Sequence, residues 1–193
     1  MEDNFRLISD VISKRRSIKP AKMNGKKIPD DKVYELIKLA DWAPTHKITE
    51  PWRFIVYSGD KAKAFCLEHA ELYKKYMPAE SFKMDKYEKI AGNGNHISHL
   101  VIAYMKRSKE VQIPEIEEIA AVSAGIQNIL LGAAASGIAA FWSTGGMVHS
   151  RELKSFLKLN DEDKIIGIIY LGYSDAVHEG KRIIPLSEKI DWK

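Results

Sequence analysis

Three short stretches hold the residue types from which a binding site is built. "KRRSIK" (Lys14–Lys19) sets two arginines and a serine between lysines where a first helix should end. The planar guanidinium fork suits phosphate oxygens, and Ser17 adds a hydroxyl donor. Cations that complement a helix C-terminus are the commoner use of such a run. In "WAPTHKITEPWRF" (Trp42–Phe54), Pro44 and Pro51 stiffen both ends of a loop, which lowers the cost of holding a shaped site. Trp42, His46 and Trp52 bring flat surfaces and ring N–H donors. Trp52, at a strand start, reads as a core anchor, whereas His46 stands in a polar turn that core burial explains poorly. "FWSTGG" (Phe141–Gly146) leaves a buried strand through an aromatic into two hydroxyls and two glycines. Glycines there let backbone N–H groups approach a planar ligand, a tight turn being the plainer alternative.

The elements that must position these residues follow from periodicity. Phe5, Ile8, Val11 and Ile12 form the stripe of a helix from Asn4 to about Lys14. Pro29, followed by Asp30 and Asp31, opens a second helix that Pro44 ends. Trp52–Tyr57 alternates as a strand, and Asp60 to about Tyr76 reads as helical. Met77–Asn95 has no readable pattern. "HLVIAYMK" (His99–Lys106) and "KIIGIIYLGY" (Lys164–Tyr173) are continuous apolar runs, as expected of strands covered on both faces. Ile138–Trp142 reads as a short strand, and Ser150–Leu159 as a helix capped by Ser150. The expected fold is α+β, a three-layer α/β/α arrangement in which helices flank a mixed sheet of four or five strands, with residues 1–193 forming one domain.

From Ile119 to Val148 the chain has no Asp, Glu, Lys or Arg. The run is long enough to span a membrane, but it is rich in Ala, Gly and Ser, with Gln127 and Asn128 in its middle. It reads as a helix buried on all sides, from Glu115 to about Ser136, whose small residues admit a close neighbour and whose outer face a second subunit would cover. The N-terminus has no apolar core, so neither a signal nor a transit peptide is expected there. The single cysteine, Cys66, fits a reducing cytoplasm. The net charge is +4, and basic residues crowd Arg6–Lys27 against a lone Asp10, which suggests an anionic partner. Nucleic acid would satisfy that bias, yet no nucleic-acid motif is present. G-x-S-x-G, P-loop and G-x-G-x-x-G motifs are missing too, and no side chain is expected to act as a nucleophile. Cys66/His69 and His96/His99 give C-x-x-H and H-x-x-H pairs, but no metal site is expected from them, because His99 begins an apolar strand.

Taken in order, Arg-Arg-Ser, then Ala-Pro-x-His-Lys before Pro-Trp-x-Phe, then the aromatic glycine turn and "DKIIGIIYLGYSDA" resemble the nitroreductase family of FMN-dependent oxidoreductases. The similarity runs from Lys14 to about Pro185 and is nearest a compact bacterial branch. It implies a homodimer with FMN at the subunit interface, reduced by NADH or NADPH and reoxidised by a small electron-poor acceptor such as a nitroaromatic or quinone, in ping-pong order. By resemblance, Arg15, Arg16 and Ser17 hold the phosphate and ribityl chain, and Lys19 lies near the flavin N1–O2 edge. His46 contacts the cofactor, while Trp142, Ser143, Thr144 and Gly145 form another wall. Arg182, or Lys181, reaches the phosphate. Ile48 and Glu50 stand where the wider family has Asn and Gln. Relatives that dehalogenate reductively or break down flavin share the site, and Met77–Asn95 is where a lid over the flavin would lie.

Overall fold

The computed structural model describes residues 2–176 and 179–193. Four strands form one sheet: β1 (Trp52–Ser58), β2 (His99–Met105), β3 (Ala139–Ser143) and β4 (Lys164–Gly172), in spatial order β1-β2-β4-β3. All three ladders are antiparallel. The expectation of a mixed sheet is therefore corrected. Among the described residues the one parallel pairing is an isolated bridge between Ser17 and Ala140, at the free edge of β3. Central β2 and β4 are almost wholly buried, which is why they read as unbroken apolar runs.

Among the described residues six α-helices flank the sheet: α1 (Glu2–Lys14), α2 (Asp30–Ala40), α3 (Gly59–Tyr76), α4 (Met84–Gly92), α5 (Glu115–Ala135) and α6 (Arg151–Phe156). Helices α2 and α5 cover one face, where Val101, Ala103, Ile169 and Leu171 meet Leu36, Ile126 and Ile129. Leu100, Ile102, Ile168 and Tyr170 point the other way, against Phe65, Tyr73 and Ile90 of α3 and α4. The alternation along β2 and β4 thus feeds two cores. Helix α4 falls in the stretch whose pattern was unreadable. Helix α6 ends earlier than its sequence suggests, and Lys158 just beyond it has φ +55°.

Helix α5 is long and apolar enough to cross a membrane by length and composition. In the fold it lies across the sheet. Its buried residues, from Glu118 through Ala121, Val122, Gly125, Ile126, Ile129 and Leu130 to Ala133, recur at helical spacing on one face. Burial on all sides is therefore not reached within one chain. The small-residue reading holds where α2 crosses: a Cβ on Gly125 would stand 3.3 Å from the Ala40 Cβ. The helix ends in a double C-terminal lock. Gly137 takes φ +68°, its N–H donates to Ala134 O at 3.2 Å, and the Ile138 N–H donates to Ala133 O at 2.8 Å. That turn delivers the chain into β3.

The segment between α1 and α2 is pinned along its length. Ile18 N–H donates to Ala140 O at 2.9 Å, Asn24 N–H to Tyr173 O at 2.9 Å, and Gly25 N–H to His96 O at 2.9 Å. Ile28 N–H donates to the buried Ser98 Oγ at 2.7 Å. That hydroxyl also lies 2.8 Å from His99 Nδ1, while His99 Nε2 lies 3.3 Å from Asp30 Oδ1. The sequence Ser98–His99–Asp30 has the polar order of a hydrolytic triad, but its serine is buried and occupied by a backbone N–H. Its work is structural. Ser98→Ala leaves the Ile28 N–H without an acceptor and should cost about 1–3 kcal/mol. A urea midpoint that drops with an unchanged slope will show it, and an unchanged midpoint will refute it.

Candidate active site

The Ser17–Ala140 bridge lays Arg15–Lys19 alongside β3 and aligns two clefts. The smaller, about 250 Å³, is lined by Lys14, Arg15, Arg16, Ile18, Gly137 and Ser174 among others. Arg16 is half-buried there. Its Nη1 donates to Ser13 O at 2.7 Å and to Arg15 O at 2.8 Å, but its buried Nε has no partner among the described residues. An unmet guanidinium N–H beside Lys14 and Arg15 is the donor set an anionic oxygen requires. FMN, which ends in a phosphate, fits this feature.

The larger cleft, about 350 Å³, opens at the other end of the paired segment. Lys19 and Pro20 line it, with Phe141, Ser143, Gly145 and Gly146 from β3 and its turn, Tyr170 from β4, and His69 from α3. The rings of Phe141 and Tyr170 stack with centroids 6.4 Å apart. The Gly145 N–H reaches Ser143 Oγ only at 3.4 Å, a long contact that leaves it available to a ligand. Helix α4 closes the remaining side with Asp85, Lys86 and Lys89, together with Lys83 just before it.

His69 is only 2% exposed and holds the glycine turn in place. Its Nε2 accepts the Met147 N–H at 2.9 Å, which puts the ring proton on Nδ1, where it finds no partner among the described residues. Gly146 has φ +71°, and a Cβ there would lie 2.7 Å from His69 Nε2. Only glycine lets the turn close on the ring. Burial foremost, then the nearby Lys86 charge, lowers the His69 pKa to about 4. Burial likewise pushes the Tyr170 phenol above its usual range.

Five of the ten residues singled out by resemblance line these clefts: Arg15 and Arg16 the smaller, Lys19, Ser143 and Gly145 the larger. Ser17 contributes its backbone pairing, and Thr144 is exposed. The Trp142 side chain lies on the opposite face of β3. There its Nε1 donates to Ile166 O at 3.2 Å and the ring rests on Gly167, where a Cβ would fall 2.0 Å from Nε1. Alternation along a strand sends Phe141 and Ser143 to the cleft and Trp142 away from it. His46 lines neither cleft and pairs through Nδ1 with Glu117 Oε2 at the start of α5. Around it Lys47, Ile48 and Glu50 take φ of 50°, 54° and 41°, so the chain's two departures from the usual loop amides sit in left-handed backbone. Arg182 is exposed and donates only to Lys181 O, at 3.1 Å.

Sequence reading missed His69 as a cleft residue, along with Phe141, Tyr170 and the α4 lysines. The spacing of Lys83, Lys86 and Lys89 was the available signal. Among the described residues no three of His, Cys, Asp and Glu come together as a metal site. Cys66 is buried, with burial raising its thiol to about 12, and His99 is occupied by Ser98 and Asp30.

Comparison with known proteins supplies the family. The model of the nitroreductase family matches residues 12–173. The chain belongs to the nitroreductase family. It is 27% identical over 184 residues to the Bacillus subtilis protein named "Putative NAD(P)H nitroreductase YfhC", covering 95% of this chain and 92% of that one. A nitroreductase-like family protein from Bacillus cereus superposes with a TM-score of 0.81 at 27% identity, covering 96% and 95% of the two chains. The FMN-dependent nitroreductase NfnB from Mycobacterium smegmatis, solved with NADPH, shares the fold at a TM-score of 0.74 and 16% identity over 97% and 98%.

The state of His69 generates a prediction. The unfolded ring takes up a proton near pH 6.5, whereas the folded one stays neutral until about pH 4. Stability should therefore fall as pH drops through that window, by up to about 1.4 kcal/mol per pH unit. His69→Gln keeps an acceptor for the Met147 N–H but does not titrate, so urea midpoints between pH 7 and 4.5 should flatten. A limb equally steep in the variant would acquit His69.

Proposed function

We propose that this chain is an oxidoreductase that binds FMN along the paired Arg15–Lys19 segment and passes reducing equivalents from NADH or NADPH to a small electron-poor acceptor, a nitroaromatic or quinone, in ping-pong order. The observation that carries the reading is the Ser17–Ala140 bridge, which sets an arginine-lined cleft and a lysine- and glycine-lined cleft end to end. Membership of the nitroreductase family, and relatives whose names specify FMN and NAD(P)H, support it.

Bound FMN supplies a ring that accepts and then donates hydride, so no side-chain nucleophile is required. The protein's residues bind and tune. Arg15, Arg16 and Lys14 take the phosphate, with Ser17 beside the ribityl chain. Lys19 places positive charge where the reduced ring carries negative charge, stabilising that form. Ser143 Oγ and the Gly145 N–H donate to polar atoms at the ring edge, and His69 keeps their turn from shifting. Trp142 acts from the far side of β3, bracing the strand. Arg182 is a weaker candidate for the phosphate. The one cysteine supports placing the protein in the cytoplasm.

His46 enters this scheme through a second copy, because it reaches neither cleft of its own chain. An apolar groove of about 590 Å³ runs between α1 and the α2/α5 pair, lined by Leu7, Ile8, Val11, Ile12, Leu39, Trp42 and Leu131, and Trp42 is 86% exposed. A patch of that kind supports a homodimer. Light scattering of the flavin-bound protein should give twice the chain mass of 21.9 kDa; a monomer with flavin bound would remove His46 from the site.

Purified protein should be yellow, or turn yellow with added FMN, and should bleach when NADPH or NADH is added anaerobically. A colourless protein that refuses FMN ends this reading. Arg15→Ala should weaken FMN binding by about 10- to 100-fold, the loss of one charge-assisted contact. Unchanged affinity would remove Arg15 from the site.

A further inference from the structure

Lys83, just before helix α4, and Lys86 and Lys89 within it line one wall of the larger cleft, opposite the β3 turn. Lys86 and Lys89 stand three apart on the helix, and Ile90, which packs into the core, lines the same cleft. Lysines on an exposed helix are ordinarily solvated, but these line a concavity whose only carboxylate is Asp85. Among the described residues none of Lys19, Lys83, Lys86 and Lys89 has a carboxylate within 4.0 Å. Lys86 is half-buried, its Nζ 5.0 Å from the centre of the Tyr73 ring. The same cleft contains the buried His69, whose Nδ1–H has no partner among the described residues. Four cations against one carboxylate, over low-dielectric walls, focus a positive potential into the space where a substrate must enter.

The arginines do not explain this charge. Arg15 and Arg16 line the adjoining cleft and are sufficient for a cofactor phosphate, and neither lines the cleft that α4 closes. We propose that Lys83, Lys86 and Lys89 bind an acidic group of the electron acceptor, so that the natural acceptor of this enzyme is an anionic small molecule, a carboxylate or phosphate ester. The assignment rests on the FMN reading above. It makes α4 the element that chooses the substrate, while β3 and the Arg15–Lys19 segment hold the cofactor.

The test uses the full chain loaded with FMN and two acceptors that share a nitro group, 4-nitrobenzoate and its methyl ester. Difference titration of the oxidised flavin spectrum gives dissociation constants without turnover. The expected result is a preference of about tenfold for the anion at low ionic strength. That preference should shrink in 0.5 M salt and vanish in the Lys83→Gln/Lys86→Gln/Lys89→Gln variant, with FMN still bound. Lys86→Gln alone serves if the triple variant does not fold, and should lose part of the preference. Equal affinity for both acceptors in the wild type overturns the proposal. So does a variant that keeps the preference while its KM for NADPH rises, since the lysines would then hold the reductant. A variant that sheds FMN overturns it too, by assigning the lysines to the cofactor. A wild-type chain that never takes up FMN overturns the flavin reading itself, and is recognised before any acceptor is added.

Discussion

One hydrogen bond organises the site: Ile18 N–H to Ala140 O, at 2.9 Å. It is the anchor of a parallel pairing only one bridge long, on the open edge of β3. An edge strand offers unpaired backbone groups, and here they are used to dock a cationic segment against a sheet. Everything chemical follows from that docking. Arg15 and Arg16 come to the start of β3, Lys19 comes to its end, and the strand's cleft-facing residues fall between them. Displacing the segment would scatter charges that are adjacent in sequence but useful only beside this strand.

The docking depends in turn on where β3 begins, and that is set by α5. The lock at Gly137 turns the chain sharply out of the helix, so that β3 starts two residues later against β4. Helix α5 can lie flat on the sheet because small residues let α2 approach it closely. Its start is held by a buried charge: Glu118 pairs with Arg107, and its Oε1 accepts the Ser108 N–H at 3.1 Å. A carboxylate with no exposed surface is tolerable only because the guanidinium and a backbone donor both reach it.

Electrostatics divides the site into two regions. Around Arg16 a buried guanidinium donor lacks a partner among the described residues and lies beside other cations. Around His69 burial, aided by the Lys86 charge, keeps the ring neutral, so the glycine turn is held by a neutral acceptor. A neutral ring does not add to the cation count of the cleft, and its hydrogen bond to Met147 survives across the physiological range.

Much of the fold was legible in the chain. The apolar runs at His99–Met105 and Lys164–Gly172 identified the covered strands, because residues buried on both faces leave no room for polar alternation. Arg15, Arg16, Lys19, Ser143 and Gly145 were singled out by the order of motifs that resembles a family, because residue type alone left helix-end cations and a tight turn as the commoner uses. The direction of Trp142 was not legible by type, as aromatic character says nothing about which face of a strand a ring takes; register against Gly167 decided it. His69 looked like half of a metal pair, and only the approach of Gly146 gave it a role. Helix α4 stayed hidden because one buried residue, Ile90, is too little to show a period. Local sequence determined the elements and the kinds of chemistry available. Which side chains share a cleft was decided by long-range pairing, because contacts between residues far apart in the chain leave no mark on the spacing within either segment.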